Sequence, residues 1–220
     1  MRDVQKQKVA LQRAFWILLV LFLITVVAAF AITWRMRYSM QANLRLPVYG
    51  TVPDFTMTER NGDAFGLKDL KGKIWVADFI FTSCAGTCPI MAANMAKLQT
   101  ALQKEWDVKL VSISVDPERD TPDILSKYAN TFGAETGRWF FVTGSPKEII
   151  HLANEGFHLS AGQLPPEDSL QSELGPVTHS IRFALIDQGG QIRGYYDGTA
   201  DESVQALIRD IKILHKRDDT

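Results

Sequence analysis

Cysteine is scarce in this sequence. Two residues in 220, Cys84 and Cys88, allow one disulfide at most. An excess of either charge is also lacking: 24 Lys and Arg stand against 25 Asp and Glu, a net charge of −1. That balance offers no basic excess for a nucleic-acid surface, so no nucleic-acid partner is expected. No internal repeat is present, which excludes solenoids and propellers, and there is no low-complexity run. No Arg- and Ser-rich transit segment precedes the first apolar stretch, so a bacterial envelope protein fits better than an organellar one.

One long apolar run is present. Ala14 to Thr33 carries no charge over twenty residues, which as a helix spans roughly 30 Å, the thickness of the bilayer hydrocarbon. Trp16 and Trp34 sit near its ends, where interfacial aromatics belong. Arg2, Lys6, Lys8 and Arg13 precede it against Asp3 alone, while Arg35, Arg37 and Arg45 follow it; the bias, though slight, puts the N-terminus in the cytoplasm. A cleaved signal peptide is the alternative, since Ala29-Phe30-Ala31 resembles a cleavage site. The run is longer than the usual h-region of about 7–15 residues, which favours an uncleaved anchor. Either way the cysteines lie outside the cytoplasm, where disulfides can form.

With 46% apolar residues, one globular domain plus attachments is expected. The divisions are a cytoplasmic tail 1–13, the anchor 14–33, a polar tether 34–47, a domain 48–215 and a C-terminal tail 216–220. The tether reaches at most about 50 Å when extended.

The domain is organised around Trp75 to Gln99. Ile74 to Phe81 is short and apolar apart from Asp78, and predicts a buried strand. After Pro89, the residues Met91, Met95, Leu98 and Leu102 recur at helical spacing. The cysteines therefore fall on a strand-to-helix turn, where unpaired N–H groups and the helix dipole favour thiolate. Their C-x-x-x-C spacing is one residue wider than the C-x-x-C of thioredoxin-type redox sites. Two thiolates on such a loop suit one soft metal ion. The alternatives are a structural disulfide, whose ring is so short that chain entropy gives it only about 2 kcal/mol, or two buried free thiols.

The remaining elements follow in order. Asp54–Glu59 and Ala64–Leu67 flank the hairpin turn signal Asn61-Gly62. Val108–Val115 predicts a second buried strand. Thr121 reads as an N-cap with Pro122 at the first helical position, opening a helix to about Phe132. Trp139–Val142 is a short strand, and Ser145-Pro146 opens a helix to about Gly156. Ser160–Pro176 is an irregular polar loop, long enough to suggest function. Thr178–Asp187 and Gln191–Tyr196 are strands around the Gly189-Gly190 turn, and Asp201–Leu214 is a closing helix. This order is α/β and thioredoxin-like.

Of the four histidines, His215 lies in the charged tail and His151 inside a predicted helix; His158 is the second candidate for a ligand. His179 is the first. It immediately precedes the strand that enters the final hairpin, the place where thioredoxin-like folds pack a cis-proline against the cysteine loop. Cys84, Cys88 and His179 would form an S₂N set that suits copper or zinc and leaves a position open. Asp78 and Asp116 are candidates for tuning this site from behind. Met91 and Met95 are expected to be core.

The segments DFIFTSCAGTCP, VSISVDPERDTP and VTHSIRFALID, in that order behind one N-terminal anchor, resemble the Sco/SenC family of copper-binding, thioredoxin-like proteins of cytochrome c oxidase assembly. The resemblance implies copper held by Cys84, Cys88 and His179. It also implies a role in maturing the binuclear copper centre of oxidase subunit II, and a location at the bacterial cell membrane with the domain extracytoplasmic. Many members carry Asp before the histidine; here Thr178 stands there. The competing reading is a thiol–disulfide oxidoreductase with Cys84 and Cys88 as its catalytic pair, maintained by a thiol reductant of the envelope. A thiol peroxidase and a binding module without chemistry complete the alternatives.

Overall fold

The computed structural model describes residues 16, 19, 22–33, 46–105, 107–159, 161–163 and 177–218. The chain divides into Met1–Arg45 and Leu46–Thr220. In the first unit, residues 22–33 are helical. Among the described residues no helix is long and apolar enough to cross a membrane. The remainder of the expected 14–33 anchor, the tail 1–13 and the tether up to residue 45 lie outside the described residues, apart from residues 16 and 19.

The second unit is built on an eight-stranded sheet with order β1-β10-β9-β4-β5-β6-β2-β3. Its strands are β1 (Gly50–Thr51), β2 (Thr56–Glu59), β3 (Ala64–Gly66), β4 (Trp75–Ile80), β5 (Lys109–Ser114), β6 (Trp139–Thr143), β9 (Arg182–Ile186) and β10 (Gln191–Asp197). A separate pair, β7 (Ala161–Gln163) and β8 (Val177–His179), forms its own two-stranded sheet. The helices are α1 (Leu67–Leu70), α2 (Thr87–Ala101), α3 (Pro122–Thr131), α4 (Pro146–His151) and α5 (Asp201–Asp218), with a π-helical turn Leu152–Gly156 continuing α4.

The centre of the sheet is parallel: β4 pairs with β5 from Trp75↔Lys109 to Ile80↔Ser114, and β5 with β6. All six residues of β4 are buried, as a strand covered on both faces requires. The strands outside this trio pair antiparallel, and β10 alternates buried and part-exposed residues along its length. The mixed α/β architecture matches the thioredoxin-like expectation. Met91 and Met95 are fully buried in the core.

Helix α2 has a less regular stripe than its methionines suggest, because Asn94 and Gln99 are buried in it. Both act as cross-links: Asn94 Nδ2 donates to the Gly198 carbonyl at 2.8 Å, and Gln99 Nε2 donates to the Gly133 carbonyl at 3.0 Å. The Asn61-Gly62 turn closes the β2–β3 hairpin, with Gly62 at φ 90°, a conformation natural to glycine. Gly66 is required for a different reason: a Cβ there would lie 2.2 Å from the Phe55 carbonyl oxygen.

Two expectations are corrected. The strand expected over Thr178–Asp187 is interrupted at Ser180-Ile181. Ser180 Oγ accepts a hydrogen bond from the Arg182 N–H at 3.2 Å and the Ile181 carbonyl accepts from the Gly198 N–H at 2.8 Å, so β8 and β9 join different sheets. The segment expected to be irregular from Ser160 holds β7, whose partner is β8, with Ala161 opposite His179. Residues 164–176 of that segment lie outside the described ones.

The Phe157 ring is fully buried and meets Trp75 and Phe79 edge-on at 5.9 and 5.4 Å. Phe157→Ala leaves a cavity under the strand that carries the cysteine loop. It is expected to cost about 3–5 kcal/mol of unfolding free energy, measured as a lowered urea midpoint at unchanged slope.

Candidate metal centre

Strand β4 ends at Ile80, and the carboxyl ends of parallel strands are where α/β sheets place their sites. Phe81 remains buried; then the Cys84 N–H donates to the Phe81 carbonyl at 3.2 Å and closes a turn. Gly86 is the N-cap of α2 and Cys88 is its second residue. The sulfur of Cys84 therefore stands before the open end of a helix, as expected from the order of residues.

Neither cysteine is in a disulfide; Cys84 is partly exposed and Cys88 fully buried. Their acidities are pushed apart. Burial raises the Cys84 thiol, but hydrogen bonds from the backbone N–H groups of Cys88, Gly86 and Thr87 and from the Cys88 thiol outweigh it. The net result is a thiol more acidic than an ordinary cysteine. Cys88 moves the other way: burial, then the charges of Cys84 and Asp78, hold its proton well above the usual thiol range. One accessible sulfur ionises readily and its buried neighbour keeps its proton as a donor.

Asp78 lies on β4 and is fully buried. Neither carboxylate oxygen has a hydrogen-bond partner at normal geometry. The Ser112 hydroxyl, opposite it on β5, offsets only part of the burial, and the carboxyl is pushed up to about 7 from an ordinary 3.8. Asp116 is mostly buried at the end of β5, raised by burial and paired with Arg119 at 3.3 Å. It is chiefly a turn residue: its carbonyl accepts the Arg119 and Asp120 N–H groups at 3.1 and 2.9 Å.

The histidines are placed in different ways. His179 ends β8, and its side chain lies outside the described residues. Among the described residues no group of three His, Cys, Asp or Glu comes together as a metal site. His158 is exposed, has a φ of 52°, and sets its ring against Gly50 of β1. His151 is exposed on α4, and His215 pairs with Asp107 at 3.6 Å.

Two residues of the site escaped the sequence reading. Asp120 is fully buried and its carboxylate accepts hydrogen bonds from Thr82 and Ser114. No spacing rule joins residues 38 apart. Tyr128, on α3, has a buried hydroxyl without a partner; burial, then the charges of Cys88 and Asp78, raise it. In the sequence it is one aromatic of an amphipathic helix.

The model of the SCO1/SenC family matches residues 47–215. The chain belongs to that family. Three solved structures give the measure of similarity. A SCO1/SenC family lipoprotein from Bacillus anthracis is 39% identical, with a TM-score of 0.69 over 77% of this chain and 97% of that one. BsSco, a member of the Sco family of cytochrome c oxidase assembly proteins in which a disulfide switch was identified, is 35% identical, with a TM-score of 0.65 over 76% and 95%. A copper-bound ScoI from Bradyrhizobium japonicum is 26% identical, with a TM-score of 0.61 over 75% and 99%.

The Asp78 carboxyl makes stability depend on pH. The folded chain holds this proton to about pH 7, whereas the unfolded chain releases it near 3.8. Below about pH 4 both states are protonated and nothing is lost. Between about pH 4 and 7 the unfolded state ionises first, so folding stability falls by about 1.4 kcal/mol per pH unit and then levels off. Asp78→Asn abolishes this dependence. Its urea midpoint is expected to match wild type near pH 4 and to exceed it at pH 8, by up to about 4 kcal/mol in unfolding free energy; parallel pH profiles for the two proteins would contradict the assignment.

Proposed function

We propose that this chain is a membrane-anchored copper chaperone, binding copper through Cys84, Cys88 and His179 and delivering it to the binuclear copper centre of cytochrome c oxidase subunit II. The observation that carries the reading is two cysteines, neither in a disulfide, one on the turn before α2 and one in its first turn, with Cys84 the more acidic. Two thiols so arranged, one inclined to ionise, fit a soft ion such as copper. The copper-bound ScoI and the oxidase-assembly role named for BsSco support the cargo and the recipient. His179 enters through its match to the family motif and its place at the end of β8.

The uncharged run 14–33, with its basic N-terminal flank, supports a single-pass anchor in a bacterial cell membrane with the 48–215 domain outside the cytoplasm. The family match over 47–215 and the lipoprotein relative support this reading of a tethered domain. An anchor confines the domain near a membrane-bound recipient and raises its effective concentration.

Reduced full-length protein is expected to take up one copper with two sulfurs and one nitrogen in its X-ray absorption spectrum. Cys84→Ser, Cys88→Ser and His179→Ala should each lose stoichiometric binding while remaining folded. Wild-type copper retention in His179→Ala would remove that residue from the set.

The split acidity also favours a second reading, a thiol–disulfide reductase. The Cys84 thiolate attacks a partner's disulfide, breaking its S–S bond and forming a mixed disulfide. Cys88, once deprotonated, attacks the Cys84 sulfur. The partner leaves as a dithiol, two electrons having passed to it, and a Cys84–Cys88 disulfide remains for an envelope thiol reductant to reopen. In this case Cys88→Ser should accumulate a covalent adduct with an oxidised oxidase-subunit peptide on non-reducing gels, Cys84→Ser none, and His179→Ala should be indifferent.

A further inference from the structure

The chain enters the domain along a sheet edge that offers it little burial. Leu46 packs against the core, but Val48 and Tyr49 are each 54% exposed. Its backbone ladder is short: β1 has two residues, paired with Ile192 and Gln191 of β10, and the Tyr49 N–H donates to the Ile192 carbonyl at 2.9 Å. A strand of that length at the start of a domain frays unless something else ties it down.

The tie is Arg193. The register of β10 against β9 shifts between Ile192 and Gly194, which makes Arg193 the extra residue of a β-bulge. A bulge takes a residue out of the ladder and re-aims its side chain. Arg193 Nε donates to the Pro47 carbonyl at 3.0 Å, Nη2 donates to the Leu46 carbonyl, and Nη1 meets Asp187 Oδ2 at 2.8 Å. Asp187 is itself fixed, because its other oxygen accepts the N–H groups of Gly189 and Gln191 at 3.0 and 2.9 Å. Both side chains of the pair are mostly buried. One planar guanidinium thus joins two successive carbonyls of the entering chain to a carboxylate on the β9–β10 turn. The fork of an arginine can span these three partners at once, and the point charge of a lysine cannot.

We propose that Arg193 is a latch that holds residues 46–51 as a strap along β10. With the latch closed, the expected tether joins the domain at Leu46, and its residues 34–45 reach at most about 40 Å. With the latch open, the strap adds to the tether and the limit rises to about 60 Å. The consequence for reach rests on the membrane-anchored reading; the latch itself does not.

The test is hydrogen–deuterium exchange of the Tyr49 amide in the full-length protein in detergent micelles, with the amides of β4 and β5 as internal reference. The measurement uses neither copper nor a bilayer, so failure of the anchored-chaperone reading and failure of the latch are distinguishable. Arg193→Ala is expected to speed Tyr49 exchange by about tenfold or more while β4 and β5 stay unchanged. Arg193→Lys, which keeps the charge but not the fork, should fall between Arg193→Ala and wild type. Unchanged Tyr49 exchange in Arg193→Ala overturns the proposal. So does exchange that rises equally at Tyr49, β4 and β5, which would make Arg193 a contributor to global stability instead of a latch. Wild-type exchange in Arg193→Lys overturns the role given to the two carbonyl bonds, because the charge pair with Asp187 would then hold the strap alone.

Discussion

The open end of α2 is the constraint from which the rest of the site follows. A helix begins with backbone N–H groups that have no partner within the helix. Here those of Gly86, Thr87 and Cys88 favour the thiolate form of Cys84. That arrangement turns an ordinary strand-to-helix connection into a place where sulfur carries negative charge at moderate cost. It also makes the two cysteines unequal, because Cys88 sits inside the helix and under the protein surface. A single turn thereby supplies one accessible nucleophile or ligand and one protected thiol.

The surroundings oppose a second charge at that point. Asp78, buried without hydrogen-bond partners on the strand leading to the loop, raises the cost of ionising Cys88, and the Tyr128 hydroxyl is affected by the same group. Asp120 contrasts with Asp78. Both are fully buried carboxyls near the ends of β4 and β5, yet Asp120 receives hydrogen bonds from Thr82 and Ser114 while Asp78 is left bare. A carboxyl buried without partners is harder to ionise. Asp120 is thus tied into the fold by its hydrogen bonds, whereas burial raises the Asp78 carboxyl.

Much of the fold was legible in the residues. Ile74 to Phe81 reads as a buried strand because it is continuously apolar, and β4 is buried throughout. Asn61-Gly62, Thr121-Pro122 and Ser145-Pro146 mark a hairpin and two helix starts by local chemistry, and each is where it was expected. The interruption at Ser180-Ile181 and the β7–β8 pair were not legible. No glycine or proline breaks Thr178–Asp187, but which sheet a strand joins depends on partners far away in sequence, here Ala161 to one side and Trp75 to the other.

At the site, residue order alone determined that two thiols lie at a strand-to-helix turn, since the cysteine spacing, the preceding apolar run and the following proline are all local. Residue order also carried the family motifs that bring His179 into consideration. Only the tertiary structure decided that Cys84 is the acidic thiol and Cys88 the protected one. It alone decided that Asp78 lacks partners, and that Asp120 reaches 38 residues back to hold Thr82. The reason is physical. Acidity and hydrogen bonding depend on burial and on distances of a few ångströms between groups distant along the chain, and local pattern contains neither.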